Sequence, residues 1–332
     1  FQVAFLNKDK GQREALLDKI NTRHAAWMKA TGTSPLPLKI FEGDENAEIT
    51  ECSELSNAFH APFAVESRRL VAWVGEPIAI KNATVATFRR QSRSHLLIVG
   101  QDEESARGTM EAVALSLIAQ SRKAPTPARI EVVDLTPVDN DFADRWNDLA
   151  EVFPQSIAVR RQRQLAETIT SVWTELLRRE SEDLTREPGR FLIIHNVVRA
   201  RDLKTEGGYS SSRTGADSAL ALPKQFMKIL RDGPDYGIHV IAWADTLANF
   251  RRILERQALD EFDMRIVSQM SETDSSQLVH AKNASELGPH RAIFFSEEDG
   301  LMEKFRPYSP AALEWIQQLA GTPMIVEPAA RA

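Results

Sequence analysis

The sequence predicts an α/β protein: a doubly wound, mainly parallel sheet with helices on both faces, preceded by a small α/β appendage. Three observations carry that prediction. From Val71 onward, short and continuously apolar runs alternate with stretches whose apolar residues recur at helical spacing. Strands that are apolar on both sides must be covered on both sides, and helical crossovers are what cover parallel strands. The composition, 42% hydrophobic and 27% charged, is that of an ordinary globular chain. Finally, apolar runs such as Leu96-Leu97-Ile98-Val99 are far too short to cross a bilayer. A single cysteine, Cys52, cannot pair internally and points to a reducing, cytoplasmic setting. A net charge of −6 argues against a chain coated for nucleic acid, although local basic patches remain.

In chain order, Phe1–Leu6 opens inside a strand-like run, with the strand at Val3–Leu6, so the chain reads as a piece of a longer protein. A helix follows over about Gly11–Lys29, with Leu16, Leu17, Ile20, Ala25 and Trp27 at helical spacing. Thr31–Pro37 stops it, and Leu38–Phe41 reads as a second strand. Residues 1–70 form the expected appendage and 71–332 the main domain. Strands are expected at His95–Val99, Arg129–Asp134, Ser156–Val159, Phe191–His195, Ile238–Ala244, Arg265–Gln269 and Arg291–Phe295. Helices are expected near Ser105–Gln120, Leu165–Ser181 and Pro223–Arg231. Lys204–Ala221, rich in Gly and Ser, reads as a flexible loop.

Ligands of an open parallel sheet bind beyond the carboxyl ends of its strands. The strand ending in Val99 runs into Gly100-Gln101-Asp102-Glu103-Glu104-Ser105-Ala106-Arg107 and then a helix, where a phosphate loop G-x-x-x-x-G-K-[ST] would stand. Several segments in order resemble the FtsK/SpoIIIE family of ring-forming ATPases, which includes DNA translocases and type VII secretion motors. They are His95–Gly100 with Ala112–Leu117, Ile130–Asp134, Trp173–Arg179, Ile229–Ile241 with its Gly237-Ile238-His239, and Arg265–Met270 with Asp274-Ser275 and Leu287-Gly288. The resemblance covers about Val71–Tyr308 and implies a RecA-like, P-loop NTPase-type fold. It implies as partners other ATPase domains of the same longer chain in a ring such as a hexamer, and double-stranded DNA or, alternatively, a protein substrate segment, with no membrane contact by this piece.

The departures from that pattern carry the functional reading. Where the loop needs glycine, lysine and a hydroxyl, this chain has Ser105, Ala106 and Arg107, and Asp102, Glu103 and Glu104 would oppose phosphates. Acids at a helix N-terminus can satisfy its free N–H groups themselves. The strand that should end in an acidic pair to hold Mg²⁺ instead ends in His195-Asn196. Both nucleotide motifs are degenerate, so a pseudo-ATPase is expected: no catalytic residue, ATP and Mg²⁺ bound at most weakly, and no other cofactor. The role implied is architectural or DNA-gripping; the alternatives are a protein-docking module and a weak ATP-binding translocase domain.

Bland accounts stand beside these. A hydrogen-bonded histidine at a strand end explains His195, and strand-end or capping roles explain Asp134 and Asp245. The seven histidines show no ligand spacing, so no metal is expected. Among the arginine clusters, Arg89, Arg90 and Arg93, with Phe88 beside them, and Arg199 with Arg201 are the candidates for DNA or interface contacts, against a default of solvated pairing.

Overall fold

The computed structural model describes residues 10–32, 45–61, 69–79, 81–140, 142–204 and 221–321. The strands expected at Val3–Leu6 and Leu38–Phe41 lie outside them, as does nearly all of the expected loop at 204–221. Two compact units are present, Phe1–Gly43 and Asp44–Ala332. Of the first, the structure describes one long helix, α1 (Lys10–Thr31), as the apolar spacing predicts.

The second unit begins earlier than expected. A short strand, β1 (Ala47–Glu48), and a helix, α2 (Ser53–His60), belong to it rather than to the appendage. Ala47 pairs with Tyr308, and Leu55 and Phe59 join the main core. In a polar stretch these few apolar side chains give no periodic signal; only their packing partners reveal where they belong.

Two strands, β2 (Arg69–Pro77) and β3 (Thr84–Arg89), then form a hairpin. The central strand β4 (Leu96–Val99) leads into α3 (Glu103–Ser121), followed by β5 (Arg129–Asp134), α4 (Arg145–Val152) and β6 (Ile157–Arg161). Next come α5 (Leu165–Ser181), β7 (Arg190–His195), α6 (Leu222–Asp232) and β8 (Ile238–Ala244). The chain continues through α7 (Leu247–Ile253), α8 (Arg256–Asp260), β9 (Met264–Val267) and α9 (Glu272–Val279). It closes with β10 (Ala292–Ser296), β11 (Leu301–Ser309) and α10 (Leu313–Ala320).

The strands order as β3-β2-β11-β10-β9-β4-β8-β7-β5-β6, with β1 on β11. From β9 to β6 every pairing is parallel, as the sequence predicts. The wing of β10, β11, β2 and β3 is antiparallel, which the sequence does not announce. β10 and β11 are joined by a turn too short for a parallel crossover, whereas β10 itself is as continuously apolar as the parallel strands. Period-two alternation puts Leu96 and Ile98 in the core under α3, and Leu97 and Val99 in the core under α5 and α6. Each such buried side chain contributes roughly 1.5–3 kcal/mol.

One contact in the layer over the sheet is unusually close. A Cβ at Gly108 in α3 would stand 2.0 Å from the Tyr308 carbonyl oxygen, so the helix rests directly on the backbone of β11. Both elements are largely buried and cannot separate cheaply. Gly108→Ala is expected to destabilise the chain by about 1–3 kcal/mol as overpacking, despite alanine's better helix propensity. Urea unfolding would read this as a lower midpoint, and an unchanged midpoint would refute the close packing.

Candidate functional site

The parallel strands deliver their carboxyl ends to one edge of the sheet, and β8 lies between β4 and β7. The loop after β4 and the end of β7 therefore face each other across Trp243 of β8. Gly100 donates its N–H to the Ala244 carbonyl (3.0 Å), and its own carbonyl accepts from Trp243 Nε1 (3.0 Å). Any Cβ at Gly100 would meet Ser268 Oγ at 2.5 Å.

Beyond Gly100 the chain caps its own helix. Asp102 is the N-cap of α3, its carboxylate accepting from the Ser105 N–H (3.1 Å), and the Ser105 hydroxyl bonds back to the same carboxylate. That hydroxyl also lies 3.0 Å from Asn46 Oδ1, and His290 Nδ1 lies 3.2 Å from the same oxygen. The free N–H groups of a helix N-terminus are what a phosphate loop offers its ligand; here side chains of the chain itself take that place.

Arg107 turns inward. Its side chain is 0% exposed, with Nη2 donating to Glu103 Oε1 (2.7 Å) and Nη1 to the Phe142 carbonyl (3.1 Å). The guanidinium also lies over the Phe142 ring, 4.7 Å from its centroid. Asn140 Nδ2 reaches Glu103 Oε1 as well (3.3 Å). Of the three acids expected to converge on the loop, Asp102 and Glu103 are thus tied to loop and helix, whereas Glu104 and Gln101 are exposed. Ala106 is buried at 3% exposure.

Across Trp243, His195 ends β7 and is wholly buried, its ring stacked on the indole at 5.1 Å. Its Nδ1 lies 2.8 Å from Thr136 Oγ1 and 3.3 Å from Asp134 Oδ1. Asn196 follows in the left-handed region (φ 68°), which asparagine tolerates better than most residues. Asp134 also accepts from Arg161 Nη1 (2.7 Å) and the Thr136 N–H (3.0 Å). Burial pushes the Asp134 carboxyl up, but hydrogen bonds from His195 and Thr136 outweigh it and hold the group below its ordinary value. Burial pushes His195 below its ordinary value against the pull of Asp134. Together these give a neutral imidazole beside an ionised carboxylate whose charge Arg161 balances. Both side-chain partners sit on one ring nitrogen, so no nucleophile–base–orienter relay forms.

No spare carboxylate points into this space from the other candidate acid. Asp245, after β8, accepts from the Thr246 N–H (2.7 Å) and from Asn249 Nδ2 (2.9 Å), closing the turn into α7. Among the described residues no group of three His, Cys, Asp or Glu could hold a metal ion.

The arginines divide by edge. Arg89, Arg90 and Arg93 precede β4, at the end away from the loop, and all are engaged within the chain. Arg89 pairs with Asp299 (3.1 Å) and Arg93 with Glu297 (2.7 Å), while Arg90 donates to the Glu187 carbonyl. Arg199 and Arg201 instead follow β7 on the loop side and are exposed, Arg199 donating to the Leu135 carbonyl (3.3 Å). Arg199 lines a cleft of about 860 Å³ at the ends of β5 and β6, with Asp134, Thr136, Arg161 and Arg163. The sequence singles out no such cleft: Arg163 and Arg199 lie far apart in the chain, and only the pairing of β5 with both β6 and β7 brings them together.

No family model matches the chain, and a search of curated proteins finds no match. Solved structures do match. The cytoplasmic domain of EssC superposes with a TM-score of 0.55 at 14% identity, over 92% of this chain and 55% of that one. The cytoplasmic domain of the Thermomonospora curvata type VII secretion ATPase EccC gives 0.57 at 15% identity, over 84% of this chain and 35% of that one. EccC (ATPases 2 and 3) from the same organism, in complex with a signal sequence peptide, gives 0.50 at 14% identity, over 86% and 50%. The chain has the RecA-like ATPase fold of these proteins, the fold its motifs resemble, and spans about half of their length or less.

Proposed function

We propose that this chain is a non-hydrolysing, RecA-like domain of a longer cytoplasmic motor, in which it packs against neighbouring ATPase domains and holds their geometry. The observation that carries this reading is the self-capped loop. Asp102 takes the Ser105 N–H, and Arg107 stands clamped to Glu103 and Phe142 where Mg²⁺ would need a hydroxyl. ATP with Mg²⁺ does not fit these residues: there is no lysine for the phosphates, and two carboxylates border the site. At the end of β7, His195 offers no charge to a metal or an attacking water. What the arrangement supplies instead is rigidity, because the loop, Trp243 and the Asp134–His195–Arg161 cluster hold one another in place. For that reason the domain is expected to keep one conformation through a neighbour's nucleotide cycle.

A second reading, a protein-docking module, draws on the neighbour solved with a signal sequence peptide and on the arginine-lined cleft of this chain. DNA gripping is the weaker role, because Arg89, Arg90 and Arg93 are spent on intramolecular partners. Calorimetric titration with Mg·ATP is expected to give no saturable heat, and phosphate release to stay at background. Turnover that Gly100→Val abolishes would overturn the main reading.

A further inference from the structure

The sheet has two edges, β6 and β3, and they differ. At β6 the outward Ile157 N–H donates to the Phe153 carbonyl (3.0 Å) and the Arg161 N–H to Gln164 Oε1 (3.3 Å), while the Val159 carbonyl accepts from Arg160 Nη1 (3.2 Å). At β3, which among the described residues pairs only with β2, the outward groups are free. Which residues those are follows from β2. Its Val71 N–H donates to Gln120 Oε1 (3.1 Å), and the Val71 carbonyl accepts from Gln120 Nε2 (2.6 Å). The Trp73 N–H donates to Ser116 Oγ (3.1 Å), so both residues turn their backbone toward α3 and away from β3.

In an antiparallel ladder alternate residues exchange their bonds. Leu70 and Ala72 therefore bond Phe88 and Ala86, their register partners, while Val85 and Thr87 each present an N–H and a carbonyl to the open side. Among the described residues nothing bonds those four groups. The free stretch is bounded at both ends, where the Ala83 N–H donates to Glu54 Oε1 (3.4 Å) and the Arg89 N–H to Ser94 Oγ (2.9 Å). Open edges are normally blunted by lysine, proline or a bulge. Thr84–Phe88 holds neither residue, and the register shift of this hairpin lies in β2, between Trp73 and Gly75. Val85 and Thr87 are β-branched and partly exposed, which suits a further strand.

We propose that the β3 edge pairs antiparallel with the β3 edge of a second copy of this chain, across a two-fold axis, joining the two sheets into one. The inference goes beyond the function proposed above and does not depend on it. With Val85 opposite the partner's Thr87, and Thr87 opposite the partner's Val85, the four free groups of each copy bond one another and none is left over. Charge fixes the occupant and the direction. Arg69 and Arg89 are cross-strand neighbours at one end of the stretch, with the carboxylate of Asp299 on Arg89 (3.1 Å). At the other end stands Glu54, which among the described residues has no cation within ion-pairing distance. The two-fold brings the arginine end of each copy to the Glu54 end of the other, so opposite charges meet twice; parallel pairing would set like beside like. One strand on one strand buries less than a permanent dimer does, so the pairing is weak and reversible.

Sedimentation velocity on the full chain, over about a hundredfold range of concentration, is expected to show monomer passing into dimer by mass action. Over the same range amide hydrogen exchange at Val85 and Thr87 is expected to slow, while exchange at Ala86, bonded to β2 in both states, stays unchanged. This readout needs no variant to fold. Thr87→Pro removes an outward N–H without touching a bond to β2, and Thr87→Lys puts a charge on the paired edge; each is expected to weaken the dimer roughly tenfold or more. A monomer at every concentration overturns the proposal, as does a dimer with unslowed exchange at Val85 and Thr87, or one that either folded variant leaves intact. Slow exchange at these two amides in the dilute monomer would mean that the chain covers its own edge, which overturns it too. The ATP experiments judge the function proposed above separately.

Discussion

A chain carrying Ser105→Gly, Ala106→Lys and Arg107→Thr together is expected to hydrolyse no ATP and to lose about 3–5 kcal/mol of folding stability. These changes rebuild the phosphate loop on paper, but each removes something the fold uses. The Arg107→Thr change would free Glu103 from its 2.7 Å partner and strip the cation from the Phe142 ring. The Ala106→Lys change would put an ammonium at a position 3% exposed in a helix packed against the sheet. The Ser105→Gly change would cut the bonds to Asp102 and Asn46 that fix the turn. Function would not return, because the carboxylates of Asp102 and Glu103 still oppose phosphates and β7 still ends in histidine. Denaturant unfolding and phosphate release on the triple variant check the two halves separately. Turnover above that of the parent chain would sink the account of the second motif.

Stability is expected to fall steeply as pH drops from about 6.5 toward 4, ahead of the usual carboxylate range. His95 and His239 lie buried at the amino ends of β4 and β8. His95 Nδ1 accepts the Val240 N–H (2.8 Å) while Nε2 donates to the Leu230 carbonyl (2.8 Å), which fixes a neutral ring. His239 Nδ1 donates to the Ser94 carbonyl (2.7 Å), and its ring stacks on Phe191 at 5.3 Å. Burial pushes His95 down to about 4. Burial and then repulsion from His95 push His239 down to about 3.

A folded-state value below the unfolded one means that the unfolded chain takes the proton first. The stabilisation is therefore complete above about pH 6.5 and is lost as pH falls toward the folded values. Each ring contributes on the order of 3 kcal/mol to that slope. Urea midpoints measured from about pH 7 down to about 4.5 should fall in the parent. They should fall less in His239→Phe, whose midpoint starts lower near neutral pH because the Ser94 carbonyl loses its donor. Equal slopes in parent and variant would contradict this. Glu175, held down to about 2 by Arg178 and Arg179, loses its contribution as pH falls from about 4.5 toward 2, below the measured range, and does not confuse the window.

Much of the central fold is legible in the sequence. Arg129–Asp134, Leu165–Ser181 and Ile238–Ala244 form where the apolar pattern places them, because period alone distinguishes a two-faced buried strand from a helix with one apolar stripe. The antiparallel wing and the residues before it are not legible. β11 alternates weakly, with Lys304 and Arg306 inside a nine-residue strand, and the buried Arg306 meets Glu76 on β2 at 2.9 Å. Nothing local announces a partner that far away in the chain.

The candidate site divides the same way. Residue identity at a motif position is local information, so Ser105, Ala106, Arg107 and His195 are readable in the sequence as standing where a phosphate loop and an acidic pair would. What they do instead follows from packing between distant segments. Arg107 became an inward clamp because Phe142, from the segment after β5, covers it. Asp134 and His195 became one neutral–ionised pair because β5 and β7 lie side by side in register. Arg89, Arg90 and Arg93 were absorbed into ion pairs and backbone contacts, whereas Arg163 and Arg199 were left facing a cleft. Charge and hydrogen-bonding capacity are properties of a residue, but whether they are satisfied depends on which distant segment the fold brings within about 3 Å.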